Sequence, residues 1–498
     1  MNSALPVAAA RSRADKHRWL ALAVIVAAQF MVVLDVAIVN VALPSIRTDL
    51  NFSQEGLQWV ITAYAILFGG ALLLGGRLAD LLGRRRLFIA GVALFAVSSL
   101  LAGFAWSEGS LITFRALQGL GGALLSPAAL SILTTTFAEG RERNVALGIW
   151  GAAAGSGGAA GTLLGGVLTS YVGWSWIFFI NVPVGAVLIA VTPRLLRESR
   201  ADLAHRHFDV AGAATITSGL MLLVYAMTRA TQHGWSDALT VTFLVSSAAL
   251  TAAFVAIELR SRAPLLPMRI FRLRTLSAAN ATALLLSSAV FSQFFLLTLY
   301  MQEVLHYSAI KTGIAYITLT LSVIAFAAVA QGMATRIGVR RVLPVGLVLS
   351  AAALFLDARL PVEGHYFWEI FPAFLLSGIG LAFAFVPMQI AALTGVGQSD
   401  AGIASGLINT TQQVGGAIGL AAASTIAATY TSQYIDGHPG VGAFNGVALT
   451  HGFDIAFYVL AALALLGAVL AAAFIESEPK VPEVEVVEAE AVPMEVAA

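Results

Sequence analysis

Two charged residues lie inside apolar stretches of this sequence, where a charge is costly. Asp35 falls within the otherwise almost uncharged run from Trp19 to Leu43, and Arg115 falls just inside a later apolar run. A carboxylate at the centre of a membrane helix costs roughly 2.5 to 3.5 kcal/mol on insertion scales. Charged residues in such places mark proton or cation sites, so the chemistry predicted here is the uptake and release of a proton.

The two charges are predicted to lie at comparable depth. Asp35 is eight residues before Leu43, the end of its run, which places it about 12 Å deep at the rise of an α-helix. Arg115 is five residues after Ser110, or about 7.5 Å deep from the same side. A long arginine side chain spans the difference, and pairing would lower the cost of burying both charges. The residues alone fit a proton carrier tuned by arginine and also a static ion pair.

The sequence encodes no nucleotide site that could supply energy. A phosphate loop requires the pattern G-x-x-x-x-G-K-[ST], and the lysines are Lys16, Lys311 and Lys480. Only Lys311 is followed by Ser or Thr, and Ile310 stands where glycine is required. Cysteine is absent, which removes disulfides and thiolate metal ligands. We therefore expect no cofactor and no metal, with uphill work driven by a proton gradient or by a partner subunit.

The composition is that of a polytopic membrane protein. The 498 residues are 58% hydrophobic and 11% charged, with a mean hydropathy of +0.85, whereas a soluble domain is about 25% charged. Apolar runs of helical length predict an all-α protein with fourteen transmembrane helices. The runs begin near Trp19, Leu57, Leu87, Leu111, Val145, Trp176, Val210, Leu239, Leu276, Thr312, Val342, Phe367, Ile403 and Phe453. No catalytic cluster is visible, so an enzyme is not expected.

The basic residues predict the orientation. Most of the 28 lysines and arginines fall in loops on the same side as the N-terminus, while the opposite loops hold Arg47, Arg229, Lys311 and Arg359. By the positive-inside rule both termini are cytoplasmic, and the protein is a multi-pass protein of the cell membrane, predicted to be a bacterial inner or plasma membrane.

Two charged stretches, 194–209 and 258–275, divide the chain into a 6+2+6 plan. The predicted parts are a cytoplasmic segment (1–18), a six-helix bundle (19–193), a linker with two inserted helices (194–275), a second six-helix bundle (276–475) and a disordered acidic tail (476–498). The two bundles look related, because Gly83-Arg84-Arg85-Arg86 recurs as Gly338-Val339-Arg340-Arg341. Likewise Gly119, Gly121 and Pro127 resemble Gly378, Gly380 and Pro387. Duplicated halves are typical of secondary transporters, whose substrate site lies between the halves.

Three further sets of residues are candidates for function. Small residues at spacing four in the fifth run predict close helix packing, at Gly151, Gly155, Gly161, Gly165 and Gly166. The loop from Gly76 to Arg86 carries Asp80 among arginines, where it can act as a latch across the cytoplasmic mouth. Neutral polar residues within the runs predict either a substrate cavity or bonds between helices, at Gln29, Asn40, Gln118, Gln293, Gln389 and Asn409.

Carboxylates other than Asp35 are predicted near the ends of helices. They are Glu258, Glu303, Asp357, Glu369 and Asp454. A dicationic substrate would favour more acids in the cavity, so the sequence favours a neutral or monocationic substrate.

These motifs resemble the fourteen-span drug:proton antiporters of the major facilitator superfamily over nearly the whole chain. Leu34–Pro44 resembles the motif of the first helix, whose Asp is implicated in proton coupling, and Arg115–Gly119 is similar to the motif whose Arg is implicated in proton transfer. Gly76–Arg86 resembles the signature loop, which implies gating roles for Gly76, Asp80, Gly83 and Arg84. The segments 176–183 and 264–271 are also typical of the branch. The fifth helix departs from the antiporter motif at Thr162, where the family usually has proline.

The resemblance implies the major facilitator fold and a proton-coupled antiporter that exports a hydrophobic drug or antibiotic by alternating access. Asp35 and Arg115 are the predicted proton-coupling residues. An importer or facilitator of a small metabolite and a non-transporting membrane sensor are the alternatives. The expected partners are a small hydrophobic substrate, protons and the lipid bilayer, with no nucleic acid, and the protein is expected to be a monomer.

Overall fold

The structure is all-α in the part of the chain that it describes. This computed structural model describes residues 5–52, 54–200, 209–261, 264–397, 400–438 and 445–476. The predicted acidic tail lies outside these residues apart from Glu476. The helices are α1 (Leu5–Asp49), α2 (Gln54–Leu82), α3 (Arg84–Gly103), α4 (Glu108–Thr136), α5 (Arg141–Tyr171), α6 (Trp176–Phe179), α7 (Asn181–Leu195), α8 (Val210–His233), α9 (Ala238–Glu258), α10 (Arg274–Leu299), α11 (Ala309–Ala315), α12 (Ile317–Ile337), α13 (Val339–Asp357), α14 (Phe371–Leu393), α15 (Ala401–Gly437) and α16 (Gly446–Phe474).

Thirteen segments of the described residues are long and apolar enough to cross a membrane. The sequence predicted fourteen, and α5 is the one that does not qualify, although it is 31 residues long. Its many glycines lower its mean hydropathy. The predicted sixth span consists of α6 and α7, which are separated at Ile180, and the predicted tenth consists of α11 and α12, which are separated at Tyr316.

Glycine ends two of the helices at matching places. Gly83, with φ of 113°, separates α2 from α3, and Gly338, with φ of 87°, separates α12 from α13. Both lie in the left-handed half of φ space, where a side chain is strained. The repeated sequence Gly-x-Arg-Arg therefore marks the same sharp turn in both parts of the chain.

The helices form two groups that contact each other. α1 to α7 pack together as the N-terminal group, and α10 to α16 pack together as the C-terminal group. The contacts between the groups run mainly through α5, which packs on α11, α12 and α14, and through α2 and α4, which pack on α15. α8 and α9 form a hairpin that lies on α2 and α15. The end that carries the Gly76–Arg86 loop is called the arginine-rich end below, and the other is the arginine-poor end.

Close glycine contacts show that the two groups repeat one packing scheme. A Cβ at Gly119 of α4 would lie against the Tyr64 carbonyl of α2, and a Cβ at Gly378 of α14 would lie against the Leu319 carbonyl of α12. Gly161 of α5 faces the carbonyl of Leu34 in α1 in the same way that Gly415 of α15 faces Leu284 in α10. Each pair of contacts fixes a residue-by-residue correspondence between the groups.

This register aligns the charged pair of the N-terminal group with apolar residues. If Leu34 corresponds to Leu284, then Asp35 corresponds to Leu285. If Gly119 corresponds to Gly378, then Arg115 corresponds to Phe374. Phe374 is fully buried and its ring stacks on that of Tyr316 at 4.9 Å between centroids.

Candidate functional site

Asp35 and Arg115 form an ion pair in the core of the N-terminal group. Arg115 Nη1 lies 2.6 Å from Asp35 Oδ2, and the side chains are 2% and 0% exposed, respectively. α1 and α4 supply one partner each, as the predicted depths of the two residues required. A charge-assisted bond of this length holds the carboxylate firmly, and breaking it by removing one partner leaves an uncompensated buried charge.

Two amides complete the shell around the Asp35 carboxylate. Gln118 Nε2 and Asn181 Nδ2 each donate to Asp35 Oδ1 at 2.8 Å. Asn181 Nδ2 also lies 3.1 Å from Ser99 Oγ, whose hydroxyl donates to the Phe178 carbonyl at 2.9 Å. Both carboxylate oxygens therefore have hydrogen-bond donors in this conformation.

The guanidinium of Arg115 has its own shell. Its Nε donates to the carbonyl of Val60 in α2 at 3.1 Å, and its Nη1 donates to Gln118 Oε1 at 2.7 Å. The guanidinium carbon lies 4.3 Å from the centroid of the Tyr64 ring, in a cation–π contact. Arginine thus joins α1, α2 and α4 at one point, and a change of charge on Asp35 alters contacts on all three helices.

An apolar groove reaches this network. The groove has a volume of about 700 Å³ and lies between α1, α5 and α7. Val26, Phe30 and Leu34 line it from α1, and Ser156 and Asn181 supply its polar groups. Asn181 thus borders the groove and donates to Asp35, which connects a space of ligand size to the buried carboxylate.

At the arginine-rich end, Asp80 links the two groups of helices. Arg84 Nη2 donates to Asp80 Oδ1 at 2.7 Å, and both side chains are buried. The other oxygen, Oδ2, faces Gly402 in the first turn of α15. The N-terminus of a helix carries a partial positive charge, so the Asp80 carboxylate attracts α15 to α2.

Two glycines make this contact possible. A Cβ at Gly76 would lie 2.5 Å from the Gly402 carbonyl oxygen, so α2 and α15 touch through their backbones. Gly83 closes the turn after α2, and the Glu198 carboxylate lies beside it. The sequence pointed to Gly76, Asp80, Gly83 and Arg84. Gly76 and Asp80 meet α15, Arg84 binds Asp80, and Gly83 lies beside Glu198.

Further charges surround the contact, and the sequence did not connect them with it. Asp400, just before α15, lies 3.3 Å from Arg269. Glu258 accepts backbone N–H bonds from Leu265 and Leu266 and so fixes the connection that follows α9. These residues are far apart in sequence, and only the packing of α9 and α15 brings them to one end of the molecule.

The glycines of α5 lie against both groups of helices. Gly161 and Gly165 face carbonyl oxygens of α1, from Leu34 and Ile38, whereas Gly151 faces Val386 of α14. Gly166 faces Ile310 of α11. The surroundings of Gly155 lie outside the described residues, although α5 contains it. Helix α5 is therefore a seam between the groups and carries small residues on more than one side.

Six neutral polar residues were predicted either to line a substrate cavity or to form bonds between helices. Gln118 belongs to the Asp35 shell and Gln293 bonds to Asp357, so both make bonds between helices. Their amides are occupied by carboxylates. Gln29 accepts a bond from Ser126. Asn40 and Asn409 donate to carbonyls of their own helices, and Gln389 is buried. None of the six lines the groove at Asn181.

Asp357 lies at the end of a helix, as the sequence predicted, but it is buried there. It is the last residue of α13, yet it is only 1% exposed. The neighbouring helices cover this end of α13, and a sequence run does not record that cover. Asn181, Ser99 and Tyr64 were also not singled out, although Asn181 stands in a motif that the sequence did mark.

Comparisons with known proteins agree with this fold. The model of the Major Facilitator Superfamily matches residues 25–420 and 281–495. The crystal structure of the human organic anion transporter MFSD10 (TETRAN) has a TM-score of 0.61 and 15% sequence identity. That similarity covers 92% of this chain and 99% of that chain, and it shows a shared fold.

Several relatives match over most of their length. The puromycin resistance protein pur8 of Streptomyces alboniger is 38% identical over 95% of both chains. The cephamycin export protein CmcT of Amycolatopsis lactamdurans is 39% identical over 88% of this chain and 91% of its own. The lincomycin resistance protein of Streptomyces lincolnensis is 37% identical over 93% and 92%, respectively. The chain therefore belongs to the Major Facilitator Superfamily and is a multi-pass transporter of the bacterial cell membrane, not an enzyme.

Proposed function

We propose that this protein is a proton-coupled antiporter that exports a hydrophobic small molecule by alternating access. The observation that carries the proposal is the buried ion pair of Asp35 and Arg115, 2.6 Å apart in the core of the N-terminal group. Export rather than import follows the relatives, three of which are named for resistance to an antibiotic or for its export.

The site couples charge to packing in the following way. A proton that enters from the arginine-poor end binds the Asp35 carboxylate and removes its charge. Arg115 then keeps its bonds to Val60 and Gln118 but loses its counter-ion. A buried charge without a partner is unfavourable by several kcal/mol, so the helices that Arg115 joins rearrange to regain a partner or water. Loss of the proton towards the cytoplasm restores the pair and resets the transporter.

The proposed function also implies how the chain is arranged in the membrane. We place both termini in the cytoplasm, with fourteen spans in the order 6+2+6. The bundles are 19–193 and 276–475, and the inserted pair lies within 194–275. In this arrangement α5 counts as a span, because it packs on α1 and α12 along its length. The arginine-rich end is then the cytoplasmic mouth.

At that mouth Asp80 and Arg84 act as a gate. The gate is closed in this conformation, since α2 and α15 touch at Gly76 and Gly402. Opening it separates the Asp80 carboxylate from the N-terminus of α15 and costs the charge–dipole attraction, which is worth about 0.3 to 2 kcal/mol. A contact of this strength opens readily during a cycle.

The substrate class follows from the relatives and from the groove. The names of the relatives make antibiotics such as puromycin and lincomycin the first compounds to test. The groove is lined mainly by apolar side chains and carries no charged residue among those that line it, which favours a neutral or monocationic compound. We propose that one chain suffices, because Asp35, Arg115 and the gate all belong to it.

Transport by inside-out membrane vesicles tests the proposal. Vesicles that contain the wild type should accumulate puromycin or lincomycin when the lumen is acidified, and collapse of the pH gradient should stop it. Asp35→Asn cannot exchange a proton and should abolish gradient-driven accumulation. Asp237→Asn is the control, because the hydrogen bond from Arg229 lowers the pKa of Asp237 to about 2, so this partly exposed residue stays ionised in the assay.

Two results would contradict the proposal. Accumulation by Asp35→Asn at the wild-type rate and with the wild-type dependence on the gradient would exclude Asp35 as the proton carrier. Accumulation in right-side-out but not in inside-out vesicles would identify an importer.

A further inference from the structure

A second carboxylate is buried in the C-terminal group, far along the chain from the Asp35 network. Asp357 ends α13 at the arginine-poor end and is 1% exposed. Leu354, about one turn earlier, and Ala358, the next residue, are also buried. The side chain therefore lies inside the apolar core that α10, α13, α14 and α16 share.

The bonds of Asp357 are few compared with those of Asp35. Gln293 of α10 donates its Nε2 to Asp357 Oδ2 at 2.6 Å and to Ser377 Oγ of α14 at 2.7 Å. The other carboxyl oxygen, Asp357 Oδ1, is buried and has no hydrogen-bond partner. Within the described residues, one neutral amide is thus the only hydrogen-bond partner of this carboxyl group.

No cation of the described residues forms an ion pair with Asp357. Arg359 is exposed, with its guanidinium carbon 4.4 Å from the centroid of the Phe355 ring. His451 of α16 is exposed beside Tyr434. The acidic residues at this end of the neighbouring elements include Glu303, which is exposed, Glu369 and Asp454, and the phenols include Tyr300, Tyr316, Tyr366 and Tyr458. Tyr300 and Tyr316 donate their hydroxyls to carbonyls of Pro361 and Phe294, so neither donates to the carboxyl group.

The position in the helix also disfavours a negative charge. The C-terminus of a helix carries a partial negative charge, and Asp357 is the last residue of α13. An ionised carboxylate in an apolar core, with one amide donor and no counter-ion, costs far more than the neutral acid. A protonated Oδ1 removes the charge and leaves Oδ2 to accept the bond from Gln293.

We propose that Asp357 is a second proton-binding site of this protein and that it holds a proton in this conformation. Arg359, two residues further on, is exposed, so only a short path separates the carboxyl group from the water at the arginine-poor end. Movement of α13 against α10 and α14 opens that path and lets the proton exchange during the cycle. The coupling role rests on the proposed function, whereas the protonated state does not.

Infrared spectroscopy of the purified protein at neutral pH tests the protonated state. A carboxylic acid has a C=O stretching band that a carboxylate lacks. The wild type should show this band, Asp357→Asn should lose it, and Asp357→Glu should shift it. Asp237→Asn, which removes an ionised carboxylate at the same end, should leave the band unchanged. An identical band in the wild type and in Asp357→Asn would overturn the proposal.

The count of protons per substrate tests the coupling role. Proteoliposomes that contain Asp357→Asn should move one proton fewer for each puromycin or lincomycin molecule than the wild type moves. An unchanged count would overturn the coupling role and make the proton of Asp357 structural. If the wild type moves drug without protons while Asp357→Asn still loses its infrared band, the proposed function fails and the proton on Asp357 stands.

Discussion

The two groups of helices share one packing scheme but differ at the point where the N-terminal group carries its charges. Asp35 and Arg115 form a buried ion pair, whereas the corresponding positions hold Leu285 and Phe374. Arg115 stacks on Tyr64, and Phe374 stacks on Tyr316. The same architecture is thus built once with charges and once without them.

This difference bears on the choice between a structural and a functional ion pair. Replacement of a buried ion pair by well-packed apolar residues is often neutral or stabilising. The corresponding positions of the C-terminal group hold apolar residues within the same chain. An ion pair that only held helices together could be replaced by apolar residues such as those of the C-terminal group. The comparison of the two groups therefore favours a role in which the charge of Asp35 changes.

The largest effect is expected when only one partner of the Asp35–Arg115 ion pair is removed. Arg115→Ala leaves the Asp35 carboxylate buried without a counter-ion and should destabilise the protein by about 3 to 5 kcal/mol. The double variant Asp35→Leu with Arg115→Phe installs the residues of the C-terminal group and should regain most of that stability without regaining transport. Denaturation in detergent measures the first quantity, and vesicle uptake measures the second.

A double variant as unstable as Arg115→Ala would mean that the apolar solution does not transfer between the groups. The comparison of the two groups would then no longer favour a change of charge at Asp35, and a structural role of the ion pair would be favoured instead.

A smaller effect concerns the seam between α5 and α1. Gly161→Ala puts a methyl group 2.6 Å from the Leu34 carbonyl oxygen, whereas Gly158→Ala on the same helix meets no atom within 4 Å. Overpacking of this kind costs about 1 to 3 kcal/mol. Gly161→Ala should lower the denaturation midpoint and the rate of export, and Gly158→Ala should leave both near the wild-type values.

Gly415→Ala extends this test to the C-terminal group, because its Cβ would meet the Leu284 carbonyl of α10. Equal stability losses at the two sites would agree with a repeated packing scheme. A loss confined to one group would contradict it.

The smallest effect concerns Asp80 of the gate and the residue at the corresponding place in the C-terminal group. Asp80 faces the first turn of α15, while Thr335, at the corresponding place in α12, accepts a bond from Asn144 in the first turn of α5. Asp80→Asn weakens a buried charge–dipole contact and should slow export about tenfold, which corresponds to about 1.4 kcal/mol. Thr335→Val removes only exposed neutral bonds, to Asn144 and Gln331, and should change the rate less than about twofold.

Initial-rate measurements and binding of the same drug to detergent-purified protein separate these cases. Asp80→Asn should bind drug as the wild type does. Weaker binding with an unchanged rate would move Asp80 from the gate to the substrate site.

The sequence predicted the two partners of the ion pair because they lie at a similar depth in their helices. Asp35 and Arg115 could be paired because each lies at a countable distance from the end of its run, and a regular helix converts that count into depth. Asn181 and Ser99 could not be assigned to the pair in this way. Their contacts depend on how α7 and α3 pack on α1, and single-helix periodicity does not contain that information.

Two other features of the structure could not be predicted from the sequence, for physical reasons of the same kind. Asp357 was predicted near the end of a helix, and it does end α13, but its burial depends on the cover from α10, α14 and α16. Helix α5 was counted as a span from its length, whereas its glycines lower its hydropathy below that of the other segments. Length and hydropathy agree for most helices of this chain and disagree where close packing selects glycine.

Proton release on drug binding is the most direct test of the central claim that Asp35 carries the coupled proton. Purified protein in weakly buffered detergent solution is mixed with puromycin or lincomycin, whichever the wild type exports, and the pH is followed with an indicator dye. The wild type should release protons as drug binds, and Asp35→Asn should lose the release that depends on Asp35. The same number of protons released by Asp35→Asn and by the wild type would contradict the account.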